Sequence, residues 1–383
     1  MQLKIIMIWL FWLSAILLLY TFLGYPSMLL LLAQWRNRMH KRAAIQPTVS
    51  VIIAAHNEES LIGGKILNCL GLDYPKNRYE IIVASDGSDD STVQIARSFE
   101  GQGVRVIDLA ERSGKQYAQV RARDASSGEI LVFTDPGTQL PPNAIGEIVS
   151  NFADPTVGCV SSEDQLLHEK KGRIGERVYV QLEMWMRRLE SRTGTVVTAS
   201  GSLFAARRSV CKDWHVDQTS DFFVPLNAIA LGMRAVVDPA SVGCYSAART
   251  EQAELRRKVR TVVIGLHVFF SHRSLLNPLR HGLVAWQLVS HKLCRWLTPF
   301  AILALLASSL SLWQASAFYR LCAVLLVLGL ASGILGLAAG RLTQWKPLRL
   351  AGYFLLGNAA TVMAWSYFIM GERFVIWQPT RRS

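Results

Sequence analysis

Strand-like and helix-like patterns alternate through the middle of this chain, and uncharged apolar runs occupy both ends. Together they predict an α/β domain on a mainly parallel, mixed sheet, flanked by N- and C-terminal transmembrane helices. Within the middle, the apolar stretches Val49–Ala54 and Glu80–Ser85 each run into a polar, acidic turn, His56-Asn57-Glu58-Glu59 and Asp86-Gly87-Ser88-Asp89-Asp90. Ligands of open α/β sheets sit beyond the carboxyl ends of such strands, which makes these turns the first candidate site. The composition is 51% hydrophobic, and the apolar surplus is concentrated at the two ends.

Taken in order, Ile5–Leu32 exceeds the roughly 20 apolar residues that a spanning helix needs. It is also longer than the apolar core of a cleaved signal peptide, about 7–15 residues, and reads as a retained anchor. Arg36, Arg38, Lys41 and Arg42 follow it, against Lys4 before it, so the positive-inside rule places the next domain in the cytoplasm. Residues 1–46 are thus an anchor and basic linker, and residues 47–270 the α/β domain. There, strand Val49–Ala54 leads to a helix over Ser60–Leu70, and strand Glu80–Ser85 to a helix over Ser91–Phe99 behind the capping residues Ser88, Asp89 and Asp90. Strand Val104–Asp108, helix Gln116–Ser126 and strand Glu129–Thr134, ending at Asp135, complete the regular part.

The second half is less regular. It reads as a long amphipathic helix Arg173–Arg192, a Gly/Ser turn and strand within Thr195–Ala206, helix Asp221–Leu231, a short strand Arg234–Val237 and helix Glu251–Phe270. Residues 271–296 read as an amphipathic interfacial segment, since Trp286–Trp296 carries His291, Lys292 and Arg295. Residues 297–383 hold the apolar runs Leu297–Trp313, Phe318–Gly340 and Leu350–Met370. Three crossings put the C-terminus outside, whereas Arg373, Arg381 and Arg382 favour the inside, so a re-entrant or non-crossing run stays open.

The formal charge of +13 lies largely beside the apolar runs, at Arg36–Arg42, Arg249–Arg260, Arg273–Arg295 and Arg341–Arg349. Membrane lipids are the partner this placement suits, and without a groove-reading motif it makes no case for nucleic acid. The six cysteines form no CxxC or CxxH pair, so neither a zinc site nor a disulfide framework is expected.

Asp86 follows IIVAS, Asp135 follows ILVFT and Asp221 opens a helix after Gln218-Thr219-Ser220. Carboxylates converging from strand ends can accept from a nucleobase or ribose, hold a divalent cation against a diphosphate, or act as a general base. Each can equally be a turn or helix cap.

The ordered motifs VSVIIAAHNEE, VASDGSDDST, RSGK, GEILVFTDPGTQLPP, ASGSLFAARRS, SDFFVPLNAIALGMRAVVDP and RRKVR resemble the membrane-bound glycosyltransferases of family 2. More narrowly, they are similar to synthases of bacterial exopolysaccharides and lipid-linked glycans, which carry a GT-A domain between membrane segments. The likeness spans about residues 47–270. It implies nucleotide-sugar contacts at His56, against the base, at Glu58 in the same turn, at Asp86, accepting from a uracil ring, and at Arg112 and Lys115 in the basic loop. Asp135 matches the first aspartate of a DxD motif that holds Mg2+ or Mn2+ on the diphosphate. Gly137 stands at the second aspartate.

Asp221 matches the general base, with Ser220 in place of an acidic neighbour. Arg260 matches the arginine of QxxRW, Arg257 replaces its glutamine and Thr261 its tryptophan. Gly201, Ser202 and Arg257 fall on the acceptor side. The implied enzyme is an inverting glycosyltransferase at the cytoplasmic face of an inner membrane. It moves a sugar from a nucleotide sugar, UDP-linked by expectation, to a glycan or lipid-linked acceptor, with subunits of a synthase or export complex as possible partners. The alternatives are a non-processive transferase adding one sugar to a polyprenyl carrier, and a degenerate nucleotide-sugar-binding scaffold.

Overall fold

The structure is a computed structural model that describes residues 2–166, 174–245, 251–339 and 345–374. Expectations resting on Arg173, Arg249, Arg341, Arg381 and Arg382 lie outside the described residues. The N-terminal helices α1 (Gln2–Leu19) and α2 (Tyr25–Arg36) are joined through a π-helical turn, Tyr20–Gly24. Then come β1 (Val49–Ala55), α3 (Glu59–Leu70), β2 (Tyr79–Asp86), α4 (Thr92–Arg97), β3 (Val104–Leu109), α5 (Lys115–Ala125) and β4 (Ile130–Thr134). Each falls within a few residues of its expected place.

Strand β1 shows why this half folds as it does. Val49, Val51, Ile53 and Ala55 face one side and pack with Ile62, Ile66 and Cys69 of α3. Ile52 and Ala54 face the other and pack with Ala118 and Ala122 of α5. Both faces are covered, so the strand is buried throughout, as in parallel sheets generally.

The second half adds β5 (Thr138–Gln139), α6 (Ala144–Ser150), β6 (Val157–Leu166), α7 (Ile174–Thr193), β7 (Leu203–Arg207), α8 (Ser220–Ala230) and β8 (Arg234–Tyr245). The sheet order is β3-β2-β1-β4-β7-β6-β8-β5. Strands β3, β2, β1 and β4 are mutually parallel, β7 runs antiparallel between β4 and β6, and β8 pairs parallel with β6. Four elements differ from expectation: β5 and α6 were not anticipated between Thr134 and Arg173, and β6 and β8 differ more widely. Strand β6 was not expected at all, because its outer half, Ser-Ser-Glu-Asp, lacks an apolar period. Strand β8 continues to Tyr245 rather than stopping at Val237, across Pro239 and a register shift between Ser162 and Glu163. A proline at a bulge is compatible with a strand, but in sequence it reads as an end.

Helices α9 (Glu251–Ser271), α10 (Pro278–Gln287), α11 (Cys294–Ser311), α12 (Ala317–Ala339) and α13 (Lys346–Ile369) complete the chain. Three described helical runs are long and apolar enough to cross a membrane: Gln2–Arg36, Pro278–Ser311 and Ala317–Ala338. Residues 286–296 are therefore not a separate interfacial helix; they continue through a π-helical turn, Leu288–Leu293, into α11. The basic residues that suggested an interface point into the protein instead: His291 is fully buried between Glu183 and Glu190. Helix α13, holding the last expected apolar run, is not among the three. It packs on α12, where Gly336 and Gly352 bring the two backbones together: a Cβ on Gly352 would lie 2.9 Å from Gly336 carbon.

Candidate functional site

The strand-end turns of β1 and β2 are fastened to each other. Asn57 Nδ2 donates to Asp89 Oδ1 (2.6 Å) and Asn57 Oδ1 accepts from the Asp89 amide (3.0 Å). The Glu59 amide donates to Asp90 Oδ2 (3.1 Å) and the Ser91 amide to Glu59 Oε2 (3.2 Å). His56 Nδ1 donates to the Asp86 carbonyl (2.7 Å), which fixes its tautomer. Much of the acidity of these turns is thus spent on turn geometry.

Asp86 itself is fully buried. Its Oδ1 accepts from the amides of Ser113 (2.7 Å) and Gly114 (2.9 Å), and its Oδ2 again from Gly114 (2.9 Å). This pins the Arg112–Lys115 loop at the start of α5. Gly87 completes the fit: its φ is +58°, and a Cβ there would lie 2.6 Å from the Arg112 amide. The loop in turn aims Lys115, whose Nζ pairs with Asp135 Oδ1 at 2.5 Å. Beneath the Asp135 loop, Lys65 is buried and donates to Thr134 Oγ1 (2.9 Å) and the Thr138 carbonyl (2.6 Å). Burial pushes the Lys65 ammonium below its ordinary value.

Asp221 differs from these carboxylates. It sits in the first turn of α8, held by its own carbonyl, which accepts from the Ala199 amide at 2.7 Å. Its carboxylate makes no hydrogen bond or ion pair with a described residue, and it lies 3.3 Å from where a Cβ on Gly201 would be. Beside it, Ser200 Oγ (2.5 Å) and Ser202 Oγ both donate to Asp164 Oδ1, at the outer end of β6. Arg260 lies in the field of both Asp135 and Asp221; burial and its neighbour Arg257 nonetheless hold the guanidinium below its ordinary value. Arg257 is committed elsewhere: Nε and Nη2 each reach Glu254 at 2.8 Å.

These groups line one cavity of about 930 Å³. One end holds Glu58, Lys115, Asp135, Gly201, Ser202, Asp221, Arg257 and Arg260, so most of the expected residues are brought together. His56, Asp86 and Arg112 do not line it. The cavity continues between the apolar helices, past Phe22 and Leu30, Val178 and Leu182 of α7, and Phe354 of α13.

A buried polar network joins the domain to these helices. Tyr25 Oη donates to Glu190 Oε1 (2.5 Å), His291 bridges Glu190 (2.6 Å) and Glu183 (3.3 Å), and Arg295 Nη1 meets Glu183 Oε2 at 2.7 Å. Burial alone would raise the Glu183 carboxyl, but the charges of His291 and Arg295 hold it well below the usual carboxylate range. Asp164 and this network escaped the sequence analysis. The first sits on the unexpected strand, and the second was masked by the apparent amphipathicity of 286–296.

For a divalent cation, the donors are hard oxygens of the kind Mg2+ and Mn2+ take. Asp135 is the one carboxylate on its loop, and among the described residues no group of three or more His, Cys, Asp or Glu could hold a metal. The site fits a cation only as a single-carboxylate platform completed by ligand phosphate and water, and Lys115 shares that carboxylate.

A sheet switching from parallel to antiparallel beside β4, with the strand-end Asp135 and Asp221 lining one cavity, is the arrangement of a GT-A-like α/β fold. The chain aligns over 95% of its length, at a TM-score of 0.73 and 21% identity, with the whole of a mannosyltransferase from Pyrobaculum calidifontis solved with GDP-Man and Mn2+. Residues 50–214 match the family model described as Glycosyl transferase family 2. It is 24% identical over 210 residues to a beta-monoglucosyldiacylglycerol synthase of Trichormus variabilis, covering 52% of this chain and 45% of that one. It is 27% identical over 202 residues to a poly-beta-1,6-N-acetyl-D-glucosamine synthase of Staphylococcus aureus, covering 51% and 48% respectively. The chain spans about half the length of the curated relatives it matches.

Proposed function

We infer that the protein transfers a sugar from a nucleotide sugar, with a UDP-sugar as the first donor to test, to a hydroxyl of a lipid-borne acceptor, inverting the anomeric carbon. One observation carries this reading: the cavity holding Asp221 runs without interruption into the cleft between the apolar helices. An amphiphile can reach the catalytic carboxylate from there without leaving the membrane. The relative named beta-monoglucosyldiacylglycerol synthase fits this class through its glycolipid product, whereas the one named for a poly-N-acetylglucosamine product represents the polymerising alternative.

In this reading Asp86 acts on the nucleotide through the loop it holds, and that loop presents Lys115 to the diphosphate. Glu58 lines the same end, while His56 and Arg112 act from outside the cavity lining. Asp135 would hold a divalent cation, which when bound neutralises charge on the diphosphate. Arg260 stabilises the charge that builds on the leaving group. Asp221 accepts the proton of the attacking hydroxyl; it has no competing partner among the described residues, as a base awaiting its substrate requires. Ser200 and Ser202, fixed by Asp164, shape the acceptor side. Thr261, lacking an aromatic face, favours addition of one sugar over processive extension.

The domain faces the cytoplasm in this proposal. Arg36, Arg38, Lys41 and Arg42 follow the first crossing, while Lys346 and Arg349 follow the third, so an even return places both basic segments on one side. Helix α13 then packs on the domain from that side. The test is purified Asp221→Asn protein given labelled nucleotide sugar and membrane lipids. Transfer should fall by about 10²–10⁴-fold with nucleotide affinity retained. Undiminished product would remove Asp221 from the mechanism.

A further inference from the structure

Among the described residues, two cationic side chains lining the cavity, Arg187 and Lys292, each present a donor without an acceptor. Arg187, on α7, gives Nε to Glu183 Oε1 at 3.3 Å, but its buried Nη1 has no hydrogen-bond partner. Lys292 is aimed into the cavity by the π-helical turn Leu288–Leu293, and no described residue accepts from its Nζ. The ring face of Phe222 lies 5.6 Å from its ammonium. Lys292 also sits in the repulsive field of Arg187 and Arg295.

Glu183 attracts Lys292 as well, but neither local carboxylate accepts a hydrogen bond from its ammonium. Glu183 is shared among Arg187, Arg295 and His291, and Glu190 is taken by Tyr25 and His291. Lys258 is drawn to Glu254 at 3.5 Å and lies over the rings of Tyr179 (4.8 Å) and Tyr353 (4.5 Å). Like charges held together around an unmet donor in a low-dielectric cleft call for an anion.

We propose that Arg187 and Lys292, with Arg295 beside them, form a binding site for the phosphate of a lipid acceptor, on the membrane side of Asp221. The flanking surface gives the class of molecule. Phe22, Leu30, Val178, Leu182 and Phe354 are exposed apolar side chains that all line the same cavity. They provide a wall for a hydrocarbon chain next to a cationic floor. The ligand is thus an amphiphile with phosphate between its apolar chain and the hydroxyl that Asp221 deprotonates. This rests on the lipid-acceptor reading above and narrows it, since a neutral diacylglycerol lacks the group these residues await. A lipid-diphosphate-linked sugar and a glycerophospholipid headgroup share this chemistry.

The test titrates the full chain in detergent with farnesyl phosphate, farnesol, short-chain phosphatidylglycerol and inorganic phosphate, following intrinsic tryptophan fluorescence. Farnesyl phosphate should bind at least tenfold more tightly than farnesol, and Lys292→Gln should remove that advantage while Lys292→Arg keeps it. Preference for phosphatidylglycerol over farnesyl phosphate would assign the site to a glycerophospholipid; the reverse would assign it to a polyprenyl carrier. Equal binding of farnesyl phosphate and farnesol by the wild-type protein would overturn the site without recourse to any variant. So would a Lys292→Gln defect confined to UDP binding, which would give the lysine to the donor. Donor hydrolysis by the wild-type protein is read separately, so failure of the transferase reading is distinguishable from failure of the phosphate site. Inorganic phosphate binding as tightly as farnesyl phosphate would mark a simple anion site and also overturn the proposal.

Discussion

Asp86, Asp135, Asp164 and Asp221 are chemically the same side chain in four states of engagement. Asp86 is spent on two backbone amides, Asp135 on an ammonium, Asp164 on two hydroxyls, and Asp221 on nothing in the described chain. Sequence could place three of them at element ends, but not say which carboxylate was already occupied, because the partners come from loops remote in sequence. The distinction predicts different losses. Asp86→Ala strands two amides and should lower stability by about 2–3 kcal/mol, measured by chemical unfolding. Asp135→Ala should instead leave stability nearly unchanged and raise the donor KM by about tenfold or more, which steady-state kinetics reads directly.

At the scale of elements, the junction of α2, α7 and α11 decides how the domain is seated. The parallel half of the sheet was legible because buried strands and capped helices carry local signals. The junction was not, because His291 and Arg295 look interfacial until Glu190 and Glu183, about a hundred residues away, are placed against them. Removing one member of such a buried pair typically costs about 3–5 kcal/mol. Glu183→Gln should therefore lower the unfolding midpoint at neutral pH. The folded-state pKa of Glu183 lies below the ordinary 4.5, so its contribution is complete above that value and fades as pH falls through the depressed one. The gap between wild type and Glu183→Gln should accordingly narrow below pH 4.5.

For the whole molecule, the fold class, both membrane ends and the family likeness were all readable in sequence, and the way the ends close over the site was not. The proposed topology takes α13, which packs on α9 and α12, as staying on the side of the domain rather than making a fourth crossing. Sided labelling checks this. With the native cysteines replaced, Ser316→Cys, between the second and third crossings, should react with an impermeant maleimide in intact cells, and Arg38→Cys only after permeabilisation. The reverse pattern would turn the domain to the other face.

The central claim, that a nucleotide-sugar site opens into a membrane cleft for a lipid acceptor, is tested most directly by product mass. Membranes containing the protein are offered a panel of labelled nucleotide sugars, and the organic-extractable product is weighed by mass spectrometry. The account predicts a lipid carrying one added sugar, formed from a UDP-sugar and absent with Asp221→Asn. A water-soluble polymer with no labelled lipid, or no transfer from any nucleotide sugar, would contradict it.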